Sequence, residues 1–490
     1  MIVTEDVTIE GALPGDPPRP RPRGLSMAAL ITALYGIGGF ALASRSLGDN
    51  SFLWHLRTGE LILDHGIPKR DPFSFTAAGT HWIAQSWLAE LMYGALSRSV
   101  GDIGIRIAVG IAGACIAVFL FRMAYRAADD RVRALAIAIP ALACSFTVWS
   151  ERPLMFGLAL LSALVFTVEV PDSFLGRHPR VVIPVVMCLW VKTHGTFALG
   201  FAYLVVHFAG RLLDGEGVGQ GRERELLIGV AIAAVLVFVN PYGPSGVLFP
   251  LMLMGRSRVL SNVGEWQSVD LHTPTGYVYA IWMFLSVVAL SRSRPKRSDL
   301  LMSIVFLLLG WWAIRNIAIT VAVTVPIVAR AFRPAEEGDL AERNATATPA
   351  LAVLVMLVGA LLVGRALARP DFDLKRYPVA TLKSLDGQHR LGGRLLTTDA
   401  WAGYVIEKYW PRQHVFFDDR YDMYPIAMTD AYNKVLSLKP GWEHVLDQYR
   451  INIIVWPKDD PVVQALKHLP GWTQLRVDKV ARTFVRTTPR

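Results

Sequence analysis

Long apolar runs alternate with short charged connections over the first three quarters of the chain. The runs fall at about 25–44, 102–121, 134–150, 153–170, 181–191, 196–212, 226–241, 276–291, 299–313, 317–331 and 349–368. Most are about 17–22 residues long, enough for a helix to cross the hydrocarbon core of a bilayer. The pattern predicts a mainly α protein, a polytopic helical bundle of about eleven spans. Segment 84–98 is short and holds Trp87 and Glu90, which suits a helix lying in the headgroup plane. Stretch 181–212 is interrupted by Lys192-Thr-His-Gly195 and predicts two short helices or one broken helix bordering a cavity. Loop 242–275, with its Pro, Gly and Trp, is expected outside with some helix of its own.

Past about residue 370 the period changes. Arg394-Leu-Leu-Thr-Thr, His414-Val-Phe-Phe-Asp and Ile451-Asn-Ile-Ile-Val-Trp read as strands, and Ala402–Trp410 and Val462–Leu469 as helices between them. Strands alternating with short helices predict a small α/β domain. The expected partition is a Pro/Arg-rich tail over 1–24, a membrane domain over 25–369 whose outer loop 45–100 carries interfacial helices, and the α/β domain over 370–490.

Charge orients the bundle. Arg19, Arg21 and Arg23, then Arg122, Arg126, Arg131 and Arg133, then Arg177 and Arg180, then Arg211, Arg222 and Arg224, then Arg292, Arg294, Lys296 and Arg297 occupy alternate connections. The positive-inside rule places them all in the cytoplasm. The N-terminus is then cytoplasmic, the first span reads as a signal anchor, and the C-terminal domain is extracytoplasmic. Asn344-Ala-Thr346 fits a glycosylation sequon but falls on the cytoplasmic side.

Composition agrees. Of 490 residues 53% are hydrophobic and 18% charged, with a mean hydropathy of +0.37, which fits a cell-membrane protein rather than a soluble one. The net charge of +10 suits loops facing an anionic leaflet, with membrane lipids as partners and no nucleic acid. Cys115, Cys144 and Cys188 all fall inside apolar runs and read as packing residues, with neither disulfide nor zinc implied. Nothing in the pattern sets an oligomeric state.

The topology gathers polar residues at one face. Leu47-Gly-Asp-Asn-Ser-Phe-Leu-Trp-His-Leu-Arg-Thr-Gly-Glu60 puts Asp49, Trp54 and His55 just beyond the first span, and a polar, aromatic helix should follow. Glu151 and Arg152 end the third span, Lys192 and His194 sit at the break, Asn240 ends the seventh, and Arg315 and Asn316 occupy a late turn. Each also has a plain structural reading: Glu151 and Arg152 could pair with each other, and Lys192 could snorkel to headgroups. Together, two acids and several cations suit group transfer from a phosphate-bearing lipid. A carboxylate can take the proton of an acceptor hydroxyl, and a guanidinium fork can hold phosphate oxygens. Phe416-Phe417-Asp418-Asp419-Arg420-Tyr421-Asp422 reads as a strand-to-helix link whose acids cap helix N–H groups, acceptor or cation binding being its other reading.

Over about residues 25–215 the chain resembles the integral-membrane GT-C glycosyltransferases, which include protein O-mannosyltransferases and the lipid A aminoarabinose transferase. The residues that carry the likeness are Asp49 after the first span, Gly66-Ile-Pro68, the interfacial segment 84–98, Gly104-Ile-Arg106 and Glu151 before Pro153. Trp54-His-Leu-Arg-Thr-Gly-Glu60 with Asp71-Pro-Phe-Ser-Phe-Thr76 looks most like uncharacterised bacterial multi-pass members. The resemblance implies Asp49 as catalytic base, Glu151 as the second acid, Lys192 as the basic residue of the broken segment, and a polyprenyl-phosphate-linked sugar as donor. Asn50 stands where many of that family have a second acid, which argues against a metal-assisted variant. A divalent metal is compatible with the chemistry, but no residue pattern supports one.

The expected activity is therefore sugar transfer at the outer membrane face to an envelope acceptor. Asp49 and Glu151 would be catalytic, Lys192 and Arg315 would grip phosphate, and Trp54, His55 and His194 would line the substrate pocket. The alternatives are a transporter of a lipid-linked or anionic substrate and a non-catalytic envelope assembly protein. In the last case Asp49, Glu151 and Lys192 would stand more than about 15 Å apart, beyond reach of one substrate.

Overall fold

The computed structural model describes residues 25–260, 263–292, 294–334 and 346–487. The tail 1–24 and Asn344 of the sequon lie outside the described residues. Each of the eleven apolar runs coincides with a helix: Met27–Ala43 (α1), Asp102–Ala128, Arg131–Phe146, Leu154–Glu169, Pro179–Thr193, Phe197–Leu213, Gly221–Leu236, Pro274–Arg292, Arg297–Trp312, Ile317–Ala331 and Pro349–Leu367. Among the described residues four helices are long and apolar enough to cross a membrane: Asp102–Ala128, Ile314–Ala331 counted with its leading turn, Pro274–Arg292 and Pro349–Leu367. Met27–Ala43, Leu154–Glu169 and Phe197–Leu213 are apolar but shorter.

Ile317–Ala331 is the central helix, buried at every position from Ile317 to Ala329. It packs against Asp102–Ala128, Arg131–Phe146, Pro274–Arg292 and Arg297–Trp312. The broken stretch resolves into two helices, Pro179–Thr193 and Phe197–Leu213, joined by a turn at 194–196. Loop 242–275 carries the helix Pro244–Met254 and shorter turns, as its composition implies.

The first connection is itself structured. Asn50–His65 (α2) and Trp87–Val100 (α3) pack face to face. Their contact runs through two glycines: a Cβ on Gly59 would stand 1.9 Å from the Glu90 carbonyl oxygen, and one on Gly94 would stand 2.5 Å from the Gly59 carbonyl carbon. Only residues without a Cβ admit so close a crossing.

The last quarter folds around a four-stranded sheet in the order β1-β2-β4-β3: β1 Leu395–Thr397, β2 Ile453–Pro457, β3 Trp472–Val477 and β4 Ala481–Arg486. β1 and β2 run parallel, linked through helices, and β4 pairs antiparallel with both β2 and β3. Segment 414–418, expected as a strand, differs: only Val415 pairs, with Leu395 on one side and Ser74 of the first loop on the other. Beside it the Phe416 ring meets Phe75 of that loop, while Phe417 packs on Tyr424 and Tyr432 within the last quarter of the chain. The helices at Asp399–Tyr409 and Pro461–Lys467 match expectation, and Val379–Gly387, Ile426–Leu436 and Trp442–Gln448 are additional.

Arg106, fully buried, joins the two parts. Its guanidinium donates to the carbonyls of Ala366 at 2.5 Å and Arg369 at 2.8 Å and to Asp371 Oδ1 at 2.8 Å, closing the end of the last apolar helix. The chain then pairs with the entry to α2, Leu47 N–H donating to the Asp371 carbonyl and Asp373 N–H to the Leu47 carbonyl, both at 2.7 Å.

Gly59→Ala should cost about 1–3 kcal/mol by forcing α2 and α3 apart. Thermal unfolding in detergent checks it against Gly38→Ala, whose new Cβ meets nothing within 4 Å. Equal melting of the two variants would contradict the close crossing.

Candidate active site at the first loop

Asp49 is the N-cap of α2. Its Oδ1 accepts from Ser51 N–H at 2.9 Å and Phe52 N–H at 3.3 Å, satisfying orphan donors of the helix start. The same oxygen accepts from Arg152 Nε at 2.7 Å. Oδ2 takes no hydrogen bond among the described residues, and the side chain is 20% exposed. One carboxylate oxygen is pinned and the other presented.

Glu151 does not pair with its neighbour Arg152. It is buried, and its Oε1 accepts the backbone N–H groups of Gly48 and Asp49, each at 2.6 Å. Tyr93 Oη donates to its backbone carbonyl at 2.8 Å, and Tyr377 Oη donates to the Gly48 carbonyl at 2.9 Å. Residues 48 and 49 are thus clamped from both sides.

Arg152 reaches the other way, with Nη1 3.0 Å from Glu265 Oε2. Arg315, at the turn leading into the central helix, donates to Glu265 Oε1 at 3.3 Å and stacks over the Trp266 ring at 4.5 Å. Burial opposes the Arg152 charge, but Asp49 and Glu265 hold its pKa above the usual guanidinium value. A chain Asp49–Arg152–Glu265–Arg315 therefore runs across the site, with one carboxylate gripped by two arginines.

His55 is buried, its Nδ1 2.7 Å from Glu90 Oε1. Burial lowers the His55 pKa well below the imidazole range, helped by Arg152, His194 and Arg420. Burial also pushes the Glu90 carboxyl up to about 8. Burial thus favours the neutral form of each group across this contact. His194 Nδ1 accepts from Thr196 N–H at 3.2 Å, and its pKa is lowered by burial and then by Arg315 and Arg152. Trp54 lies against His55, ring centroids 3.6 Å apart.

Asp49, Glu151, Trp54, His55, His194 and Arg315 thus gather around Arg152. Lys192 does not join them: its Nζ faces Cys188 Sγ at 3.3 Å, one turn back on its own helix. Asn240 accepts from Tyr242 N–H in a local turn, and Asn316 donates to the Leu309 carbonyl.

Sequence reasoning missed how the last quarter of the chain enters this site. Asp419 accepts from Trp54 Nε1 at 2.5 Å and from Ser51 Oγ. Burial pushes its carboxyl up to about 7, against the pull of Arg152. Arg420 is fully buried, its Nη2 2.7 Å from Asp418 Oδ2 and 2.8 Å from Asp71 Oδ1, and its guanidinium lies 4.5 Å from the Trp82 ring centroid and 4.9 Å from that of Phe73. The acids of 416–422 do not cap a following helix: Asp419 binds the first loop, and Asp418 accepts from Arg420 and Tyr424 of its own segment. Asn50 donates to the Asp399 carbonyl and accepts from Gly403 N–H, both at 2.8 Å. A Cβ at Gly403 would meet the Asn50 carbonyl oxygen at 2.2 Å. The signal available in the sequence was the pairing of two aromatic and acidic segments, 71–76 and 416–422. Among the described residues no group of three or more His, Cys, Asp or Glu is placed to hold a metal ion.

No family model and no curated protein matches this sequence. Solved structures do. ArnT from Cupriavidus metallidurans bound to undecaprenyl phosphate is similar over 93% of this chain and 97% of that one, at 13% identity and a TM-score of 0.52. The archaeal oligosaccharyltransferase AglB from Archaeoglobus fulgidus, in complex with an inhibitory peptide and a dolichol-phosphate, is similar over 87% of this chain and 69% of its own, at 12% identity and a TM-score of 0.48. This chain shares the fold of that ArnT. The likeness extends over nearly the whole of both chains, and four of the described helices are long and apolar enough to cross a membrane.

Asp419 gives a pH test. Its carboxyl is raised from 3.8 to about 7, so the folded protein keeps a proton that the unfolded chain releases. The resulting stability is fully present below 3.8 and lost as pH rises through about 7. Asp422, raised by burial to about 6, acts in the same direction. Asp419→Asn should flatten the fall in unfolding temperature between about pH 4 and 7. A melting series in buffered detergent measures this, and an unchanged slope would show that the carboxyl titrates as an exposed acid.

Proposed function

We propose that this protein is a membrane glycosyltransferase that moves a sugar from a polyprenyl-phosphate-linked donor to an envelope acceptor at the outer membrane face. The observation that carries the reading is the arrangement around Arg152. Asp49 presents a free carboxylate oxygen beside two arginines that already grip an oxyanion, the Glu265 carboxylate. The ArnT that shares this fold was solved with undecaprenyl phosphate, a ligand of that headgroup chemistry.

In the proposed step Asp49 Oδ2 takes the proton of an acceptor hydroxyl. The acceptor oxygen forms a bond to the anomeric carbon while the bond from that carbon to the phosphate oxygen breaks. The electron pair leaves with the phosphate, whose charge Arg152 and Arg315 stabilise in place of Glu265. Glu151 positions Asp49 through the backbone and does not itself touch substrate. Trp54, His55 and His194 line the sugar side, and Asp419 closes it from the α/β region. Lys192 could serve only after leaving Cys188. Eleven spans, a cytoplasmic N-terminus, the partition at about residue 370 and an extracytoplasmic α/β domain complete the proposal. Of the three groups whose convergence speaks against a purely scaffolding role, Asp49 and Glu151 meet while Lys192 stays on Cys188, and charges gathered at helix ends suit a transferase better than a transporter.

Asp49→Asn should reduce transfer by about 100-fold or more while leaving expression and membrane insertion intact. Envelope glycan and glycolipid profiles of a deletion strain and an Asp49→Asn strain should lose the same product, and full product in the variant would remove Asp49 from the mechanism. Glu265→Gln should release the two arginines and tighten binding of undecaprenyl phosphate by about threefold. Titration of the purified protein reads this, and weaker binding would make Glu265 a ligand rather than a placeholder.

A further inference from the structure

A second site lies away from Asp49, where the first loop meets the α/β region. It is a cleft of about 390 Å³ lined by Phe75, Gly392, Gly393, Arg394, His414, Arg450 and Asn452. That volume falls in the range of small-molecule sites. No acid lines it, and two guanidinium groups and an imidazole do.

The walls are built. Phe75 N–H donates to the Val415 carbonyl at 3.0 Å, and Val415 N–H donates to the Phe73 carbonyl at 3.1 Å, so backbone pairing fixes the floor. Gln413 is fully buried behind it. Its Oε1 accepts Gly392 N–H at 2.8 Å, and its Nε2 donates to the carbonyls of Gly393 at 2.8 Å and His414 at 2.6 Å. One amide therefore braces the glycine turn against the opposite wall. A Cβ at Gly393 would stand 2.7 Å from the Asn452 amide nitrogen, so a side chain there would displace the Asn452 amide from that wall.

The cations differ in their freedom. Arg394 donates to the Tyr449 carbonyl at 3.1 Å and lies 5.4 Å from the Phe75 ring centroid. Arg450 holds a left-handed backbone, φ 51°, at the turn before β2. Neither its guanidinium nor the His414 ring has a partner among the described residues. Pinned and free donors beside an aromatic ring, with no competing acid, suit an oxyanion attached to a group with an apolar face.

We propose that this cleft binds an anionic saccharide, a sugar ring whose carboxylate or phosphate is held by Arg394 and Arg450 while its C–H face packs on Phe75. The site is distinct from the transfer chemistry and is read by binding alone. The full chain in lipid nanodiscs is titrated calorimetrically with a glucuronic-acid disaccharide, glucose 6-phosphate, maltose and inorganic phosphate. One or both charged sugars should bind at least about tenfold more tightly than maltose, and the stronger of the two identifies the oxyanion. Arg450→Ala and Arg394→Ala should each weaken that binding about tenfold, while Asp49→Asn leaves it unchanged. Because the Arg450 side chain holds no other group, its loss leaves the fold intact, and a melting curve confirms this. Maltose binding as tightly as the charged sugars would overturn the proposal. So would inorganic phosphate matching the sugar phosphate, an adventitious ion only, or Arg450→Ala binding like the unaltered chain, or loss of binding in Asp49→Asn.

Discussion

Glu151 fixes the backbone on which the candidate base stands. A buried carboxylate is costly unless its oxygens find donors, and here the donors are the N–H groups of Gly48 and Asp49. The same contact satisfies the acid and sets the direction in which α2 leaves the end of α1. Asp49 caps that helix while its second oxygen stays open, because the helix N–H groups and Arg152 all converge on the first. The two acids thus divide the work by environment: one shapes the loop, and the other is held ready on it.

The α/β region is part of this arrangement and not an appendage. Asn50, Asp71, Ser51 and Trp54 of the first loop each bond to the segment between 399 and 420. Arg420 lies at the centre of that contact, and its charge is offset by Asp71 and Asp418 while aromatic rings exclude water around it. Removing one partner of such a buried ion pair leaves a charge uncompensated, at a cost of about 3–5 kcal/mol. The interface is therefore specific in register, since neither segment buries its charges without the other.

The bundle was legible because each helix of a membrane domain announces itself locally, through a run of apolar residues of the right length. Asp49, Glu151 and Arg152 were legible for a related reason: charges at the ends of such runs are expensive, and they stood out. Their partners were not. Adjacent Glu151 and Arg152 could have paired with each other, and only the fold shows that they diverge, one to the backbone and one to Asp49. Asp419 and Arg420 contact residues more than 300 positions away, and no local period reports a contact of that kind. Segment 414–418 misled for the same reason, since its alternation is real but its backbone pairs at Val415 with Ser74 of the first loop instead of extending a strand. The hairpin of β3 and β4 lies beyond the last strand read from the pattern, and β3 is largely exposed, so it lacks the apolar alternation that marks a half-buried strand.

The Glu265 contact bears on how a phosphate could enter so crowded a site. Two half-buried guanidinium groups without partners would carry uncompensated charge away from bulk water. Asp49 and Glu265 offset that charge in the structure as it stands. On the proposed reading a donor phosphate exchanges with Glu265, so the arginines pass from one oxyanion to another and are never bare. Glu265 is 34% exposed, and its release returns it to water instead of stranding it in the protein. The exchange is then nearly balanced in charge, and selectivity falls to what a carboxylate lacks: a third oxygen within reach of a second fork. A phosphate that gains charge as the sugar departs binds both arginines more strongly than the donor did. That difference is what would stabilise the transition state.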